Sequence, residues 1–214
     1  MPAAATRPDR RRARNREAIL SAAEALFGVR GIDGVSIDEI AEAADIAKGT
    51  VYNHFEDKEA LASEIAMQAR ADGEARVEAA NAGVIDPVRR TVRGVLVFAR
   101  FAIERPERAR AMVRLTPTAS DPHAAVNGGL LHDIEAGVVA GAFPGSTVET
   151  GAMVVMGAAH VLMARLIGLR PAWADAEILA RDVTGLMLRG LGVPGARAIQ
   201  TAAAEAAEIF RETP

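Results

Sequence analysis

Apolar residues recur at intervals of three and four along nearly the whole chain, and proline and glycine mark the breaks. This spacing places them on one face of a helix, and no segment alternates apolar and polar residues over the length of a strand. In the stretch from Asn15 to Gly31, for example, Ile19, Ala23 and Leu26 share such a face. The sequence therefore predicts an all-α protein.

Two short helices follow the first one, with almost no linker between them. Ser36 and Glu39 form an S-x-x-E capping box, which is a strong signal for the start of a helix. That helix is predicted to stop at Asp45, a residue type that tolerates the left-handed backbone of a tight turn. The third helix is predicted to run from about Ala47 to His54.

Beyond residue 60 the predicted helices are longer. Asp57 is expected to cap a fourth helix that continues to about Ala80, and Asp86 before Pro87 is a second capping signal. Asp175 is expected to cap a helix that ends near residue 190. The other predicted helices cover 105–117, 121–142, 148–169 and a last one around 199–210. The pattern therefore predicts three short helices followed by a larger helical bundle.

Composition narrows the class of protein. The chain has no cysteine, which excludes disulfides, cysteine-based zinc sites and thiol catalysis. Its most apolar run, Gly151–Ala164, is interrupted by His160 and is shorter than the roughly 20 apolar residues that span a membrane. No apolar run of signal-peptide type follows the N-terminal arginines. We therefore expect a cytoplasmic protein without a membrane partner.

The net charge of −3 hides an uneven distribution. Residues 1–16 contain six arginines and one aspartate, so this segment carries +5 and the remainder of the chain carries −8. We expect residues 1–16 to form a flexible basic arm. Such an arm is either a nucleic-acid contact or a solvated tail, and the charge alone does not separate the two.

The short helices after the first one have the arrangement of a helix-turn-helix motif, whose second helix enters the major groove with its N-terminus first. Val51 and Phe55 are predicted to face inward, which leaves the polar side chains outward. Tyr52 and His54 would bind phosphates and Asn53 would read a base. The complete set of predicted DNA-binding residues is Ser36, Lys48, Gly49, Thr50, Tyr52, Asn53, His54 and Lys58. The alternative is an ordinary short helix with solvated polar residues.

The segment from Ala18 to Leu61 resembles the DNA-binding domain of the TetR family (tetracycline-repressor-like regulators) almost throughout; it reads AILSAAEALFGVRGIDGVSIDEIAEAADIAKGTVYNHFEDKEAL. Two positions depart from the pattern of that family. Asp45 stands where glycine is frequent, and Ala47 stands where serine is frequent, which removes one possible phosphate ligand. The resemblance implies a DNA-binding domain over 17–62 and a helical effector-binding and dimerisation domain over 63–214.

The same resemblance implies a homodimer that binds an inverted-repeat operator in double-stranded DNA. Its dimer interface would be built from the last two long helices, here 148–169 and 175–191, although either one could instead be a core helix. A small-molecule effector would bind among the helices from 86 to 169. The candidate pocket residues, which are alternatively plain core residues, are Phe98, Phe101, Met112, Leu131, Met156 and His160.

Two other classes of function compete with a transcriptional repressor. An enzyme could use His132 and Glu135, which lie three residues apart, but a di-iron bundle needs two Glu-x-x-His motifs and further glutamates. A metal-sensing regulator could use His123, His132 or His160, which are scattered. There is no Ser-His-Asp spacing, phosphate loop or dinucleotide fingerprint. We therefore expect no catalytic site, no metal and no cofactor.

Overall fold

A computed structural model describes residues 6–115 and 127–211, and its regular structure is helical throughout these ranges. The protein is all-α, as predicted. In chain order the described helices are α1 Arg7–Arg30, α2 Ile37–Ala43, α3 Lys48–Tyr52, α4 Lys58–Ala80, α5 Pro87–Glu104, α6 Pro106–Leu115, α7 Gly128–Val139, α8 Val148–Leu169, α9 Trp173–Gly190 and α10 Gly195–Ile209.

The first helix begins much earlier than the sequence pattern indicated. Thr6 and Asp9 form a capping box, in which the Thr6 amide donates to the Asp9 carboxylate at 3.0 Å, and Pro8 lies in the first turn. Arginine is also a good helix former. Residues 7–16 are therefore part of α1, whereas the sequence pattern predicted a flexible arm there.

The start of α9 also differs from the prediction. Ala172 is the N-cap residue, whereas Asp175 lies within the first turn and does not cap the helix. The Trp173 indole donates to the Phe210 carbonyl at 3.0 Å, and the two rings lie 5.2 Å apart. This contact with a residue 37 positions away holds the first turn of α9 in place. The start of the helix could therefore not be predicted from the local sequence.

Two separate hydrophobic cores organise the molecule. The N-terminal core is formed by residues of α1 to α3 and the start of α4, with Ala111 of α6, and includes the fully buried Ile19, Ile40 and Val51. The larger second core is centred on α5, which packs against α4 and all the helices from α6 to α10. Helix α4 belongs to both, because Ile65 lies in the first core and Ala69 in the second.

Helix α8 is long and apolar enough to cross a membrane by length and composition alone. One side of it is nevertheless buried in the second core, where Leu162, Met163 and Leu166 are at most 3% exposed. It packs against α5, α6, α7 and α9. This helix is therefore part of the helical bundle.

A buried ion pair joins α10 to the central helix. Glu205 is 3% exposed and accepts hydrogen bonds from both Arg89, at 2.5 Å, and Arg93. Arg93 is itself 8% exposed and donates to the Ala80 carbonyl at the end of α4. The pair thus connects three helices through groups that water hardly reaches.

Glu205→Ala should lower the free energy of unfolding by about 3–5 kcal/mol, because it leaves the Arg93 guanidinium buried without its carboxylate. Chemical denaturation provides the measurement. Glu208→Ala is the matched control, since its ion pair with Arg211 is exposed and should contribute less than about 1 kcal/mol. Equal destabilisation of the two variants would contradict the importance of the buried pair.

Candidate nucleic-acid interface and effector cavity

The start of α2 is fixed by the capping box that the sequence predicted. The Glu39 amide donates to the Ser36 hydroxyl at 3.3 Å, and the Ser36 amide donates to the Glu39 carboxylate at 2.8 Å. Arg30 of α1 adds a further bond to Glu39 at 2.7 Å. The bond from the Ser36 backbone, followed by the bond from Arg30, lowers the pKa of Glu39 to about 2. Ser36 is exposed at this helix end.

The turn between α2 and α3 depends on a left-handed residue. Asp45 has φ of 54°, as its position in the sequence indicated. Immediately after it, the Ile46 amide donates to the Ala41 carbonyl at 2.9 Å, which brings the chain back across the end of α2. Val51 of α3 is then fully buried and Phe55 is 6% exposed, as predicted. The turn therefore sets the orientation of α3 against α2.

The outer side of α3 is open. Tyr52 is 49% exposed and Asn53, the C-cap residue, is exposed as well. Gly49 is exposed, and a Cβ atom added there would meet nothing within 4 Å. Thr50 is half-buried. No packing contact within the described part of the protein therefore requires a glycine at position 49. The missing side chain leaves space on the outer side of α3 for a bound partner molecule.

Lys48 has a partner that sequence reasoning missed. Its ammonium group lies 2.7 Å from the Asp38 carboxylate of α2, and this hydrogen bond raises the pKa of Lys48. The pair brings the first turns of α2 and α3 side by side. The sequence does not single out Asp38 as the partner of Lys48, because an acidic residue in the first turn is expected for any helix.

The remaining two predicted DNA contacts are Lys58 and His54. Lys58 opens α4 and donates to the Ile32 carbonyl at 3.2 Å, so its ammonium group stabilises the loop after α1. His54 is half-buried, and burial, followed by the charges of Arg12 and Arg16, lowers the pKa of its imidazole. The ring is therefore neutral at pH 7 and can both donate and accept a hydrogen bond.

A cavity of about 1050 Å³ lies in the second core, between α4, α5, α6, α7 and α8. Four of the six candidate pocket residues line it, namely Phe98, Met112, Met156 and His160. Phe101 does not, because it is fully buried on another side of α5, beneath the guanidinium of Arg76. Leu131 does not either, since its neighbour Leu130 occupies the cavity side of α7.

The cavity also contains polar groups that the sequence pattern did not indicate. Arg90 donates to the Asp133 carboxylate at 2.5 Å, and Arg70 donates to Glu74 at 2.9 Å. Burial raises the pKa of Glu74. Both arginines that line the cavity are therefore paired with carboxylates.

Apolar side chains remain exposed along α8 and α9. On α8 they are Val154, Val161 and Leu169, and on α9 they are Ile178 and Leu186, each between 42% and 67% exposed. Large apolar side chains clustered on adjacent helices are typical of an interface with another protein surface. These are the two helices for which the family resemblance implied pairing between subunits.

The alternatives based on metal chemistry gain no support from the described ranges. Within them, no group of three or more His, Asp or Glu side chains could hold a metal ion. His132 and Glu135 are both exposed. His123, and the predicted helix start at Asp121, lie outside the described residues.

Known proteins resemble this chain in sequence near its N-terminus and in fold over most of its length. A family model described as bacterial regulatory proteins, tetR family, matches residues 19–65. The transcriptional regulator AcrR of Shigella flexneri is 46% identical over 50 residues, which is 23% of this chain and 23% of that protein. The transcriptional repressor BepR of Brucella suis is 45% identical over 58 residues, 27% of this chain and 28% of that protein.

These matches span about a quarter of the length of the curated relatives. A likeness over most of the chain comes from a solved structure, a bacterial regulatory protein in the tetR family from Rhodococcus RHA1. It is 25% identical, covers 84% of this chain and 98% of its own, and has a TM-score of 0.66. Residues 19–65 therefore match the tetR family of bacterial regulatory proteins, and the chain as a whole is similar in fold to a solved member of that family.

Proposed function

We propose that this protein is a cytoplasmic, DNA-binding repressor that a small-molecule effector releases from an inverted-repeat operator. The observation that carries the proposal is the exposed face of α3, with an open glycine at its start and Tyr52 and Asn53 beyond it. The BepR protein, which is 45% identical to this chain over 58 residues, is a repressor. The cavity in the second core supports the effector part of the proposal.

In this proposal the small start of α3 approaches the DNA closely. Asn53 offers the amide geometry that pairs with adenine, and Tyr52 and His54 donate to phosphates. Lys48, released from or shared with Asp38, would bind near the bases together with Thr50. The exposed N-terminus of α2 at Ser36 supplies further N–H donors for a phosphate.

Binding to an inverted repeat requires two copies of α3 held at a fixed distance and orientation. The exposed apolar faces of α8 and α9 support a homodimer in which these helices pair with their copies. Dimeric helix-turn-helix proteins bind half-sites about 34–36 Å apart, or a multiple of this distance. An effector that favours a different separation of the two α3 helices would weaken operator binding.

Helix α6 provides the path from the cavity to the DNA-binding domain. Met112 lines the cavity, while its neighbour Ala111 is buried in the N-terminal core. A Cβ atom added at Gly28 of α1 would lie 2.6 Å from the Glu107 side chain, so the two helices touch closely. A shift of α6 caused by an effector would therefore move α1 with it.

The lining of the cavity favours a neutral, largely apolar effector. Both lining arginines are already paired, with Glu74 and with Asp133, so an anionic ligand would find no unpaired cation from them. The remaining wall includes Phe98, Met112 and Met156. Burial of apolar surface would then supply most of the binding free energy.

Asn53→Ala should reduce discrimination at one base pair of each half-site by about 1–3 kcal/mol, whereas Tyr52→Ala should weaken binding to all sequences alike. Competition binding with single-substituted operators measures both effects. Gln200→Ala, an exposed amide on α10, is the control and should change neither. Full operator affinity in a Tyr52→Ala, Asn53→Ala double variant would contradict the proposal that α3 binds the DNA.

Gly49→Ala should keep or raise thermal stability, because alanine gains about 1 kcal/mol over glycine in a helix and the new methyl group meets no atom of the domain. Operator affinity should fall at the same time, because the methyl group occupies the space of close approach. Gly195→Ala at the start of α10 is the matched control, with unchanged affinity. Retained affinity in Gly49→Ala would show that close approach at this position is not needed.

Gly94→Leu should fill the cavity from α5, where an added Cβ atom has only Val77 nearby, at 3.7 Å. Binding of the neutral apolar fluorophore N-phenyl-1-naphthylamine should weaken at least about tenfold, since a buried leucine replaces its contacts. Gly94→Ala, which adds only the Cβ atom, should retain the fluorophore. Undiminished binding in the leucine variant would place the ligand elsewhere.

A further inference from the structure

We propose that the first three turns of α1, residues 7–18 and here called the arginine extension, bind DNA phosphates beside the base pairs that α3 reads. The inference rests on the proposed DNA-binding function and adds a contact surface to it. The family match begins at residue 19, whereas α1 begins at Arg7. The extension therefore lies ahead of the part of the chain that the family model describes.

The arginine extension is a positively charged helical rod. Its 12 residues rise about 18 Å in an α-helix, and the capping box between Thr6 and Asp9 fixes its first turn. It holds six arginines against Asp9 and Glu17, in a chain whose net charge is −3. A preformed helix loses less conformational entropy on binding than a flexible tail would.

The C-terminal end of the extension lies next to α3, the helix proposed to read the bases. The Arg16 guanidinium is 5.1 Å from the centre of the Phe55 ring, three residues after the end of α3, and 3.1 Å from the Glu64 carboxylate. The charges of Arg12 and Arg16 also reach the imidazole of His54. The helix that continues from Arg16 towards Arg7 therefore starts at the edge of the proposed DNA surface.

Three of its arginines are available to an external anion. Arg7, Arg11 and Arg14 follow one another at helical spacings of four and three residues, so they share one side, and all three are exposed. None of their guanidinium groups forms a hydrogen bond or an ion pair with another residue of the described ranges. Guanidinium groups bind phosphates in two-pronged fashion, and a DNA strand offers phosphates at regular intervals.

The test compares the unaltered protein with R7Q/R11Q/R14Q and R7K/R11K/R14K, using operator DNA selected from a random pool. Glutamine and lysine are good helix formers, so the rod should persist, and circular dichroism checks this. The slope of log Kd against log salt should become shallower by about 0.9 for each phosphate that the glutamine variant no longer neutralises. The lysine variant should keep the slope, because its charges remain.

A matched control removes arginines elsewhere. R197Q/R211Q changes exposed arginines at the two ends of α10 and should leave the slope unaltered. The preferred base sequence should also be the same in all variants, since phosphate contacts carry no sequence information.

Several outcomes would overturn the inference. An unchanged slope in R7Q/R11Q/R14Q would reject the extension as a phosphate contact, and a changed base preference would mean that it reads bases instead. Weaker binding to phosphatidylglycerol vesicles with an unchanged DNA slope would assign it to a membrane surface. Failure of the unaltered protein to bind any DNA would instead reject the proposed function itself.

Discussion

Helix α6 packs into both hydrophobic cores and thereby connects the wall of the cavity with the N-terminal core. Ala111 is buried in the N-terminal core, whereas Met112, the next residue, lines the cavity. The close contact between Gly28 and Glu107 leaves no room for α1 and α6 to approach further. Because packed interfaces of this kind respond as bodies and do not deform continuously, occupation of the cavity would be felt at α1.

Different helices supply the shape and the positive charge of the proposed DNA surface. Helix α3 is poor in positive charge, and its one lysine is already paired with Asp38. Its contribution is instead shape, set by the left-handed turn at Asp45 and by the open position at Gly49. In our account the positive charge comes from α1, whose arginines lie beside the end of α3. Helix α1 would thus contact both the DNA and α6, the helix that the proposed effector would shift.

Local signals in the sequence predicted those features that neighbouring residues determine. The capping box at Ser36, the left-handed Asp45 and the bounds of α8 are of this kind. Features that depend on distant partners were missed, such as the bond from Trp173 to a residue 37 positions away and the buried pair of Arg93 with Glu205. Likewise, an apolar residue on α5 faces either the cavity or solid core, which periodicity alone does not distinguish.

Selection of bound DNA from a random pool, followed by sequencing, tests the central claim most directly. We expect enrichment of an inverted repeat whose half-sites lie about one helical turn, or a multiple of it, apart, because two copies of α3 would be held by pairing of α8 and α9. Enrichment of a single unpaired half-site would contradict the dimeric arrangement. A pool without any enriched sequence would contradict sequence-specific DNA binding altogether.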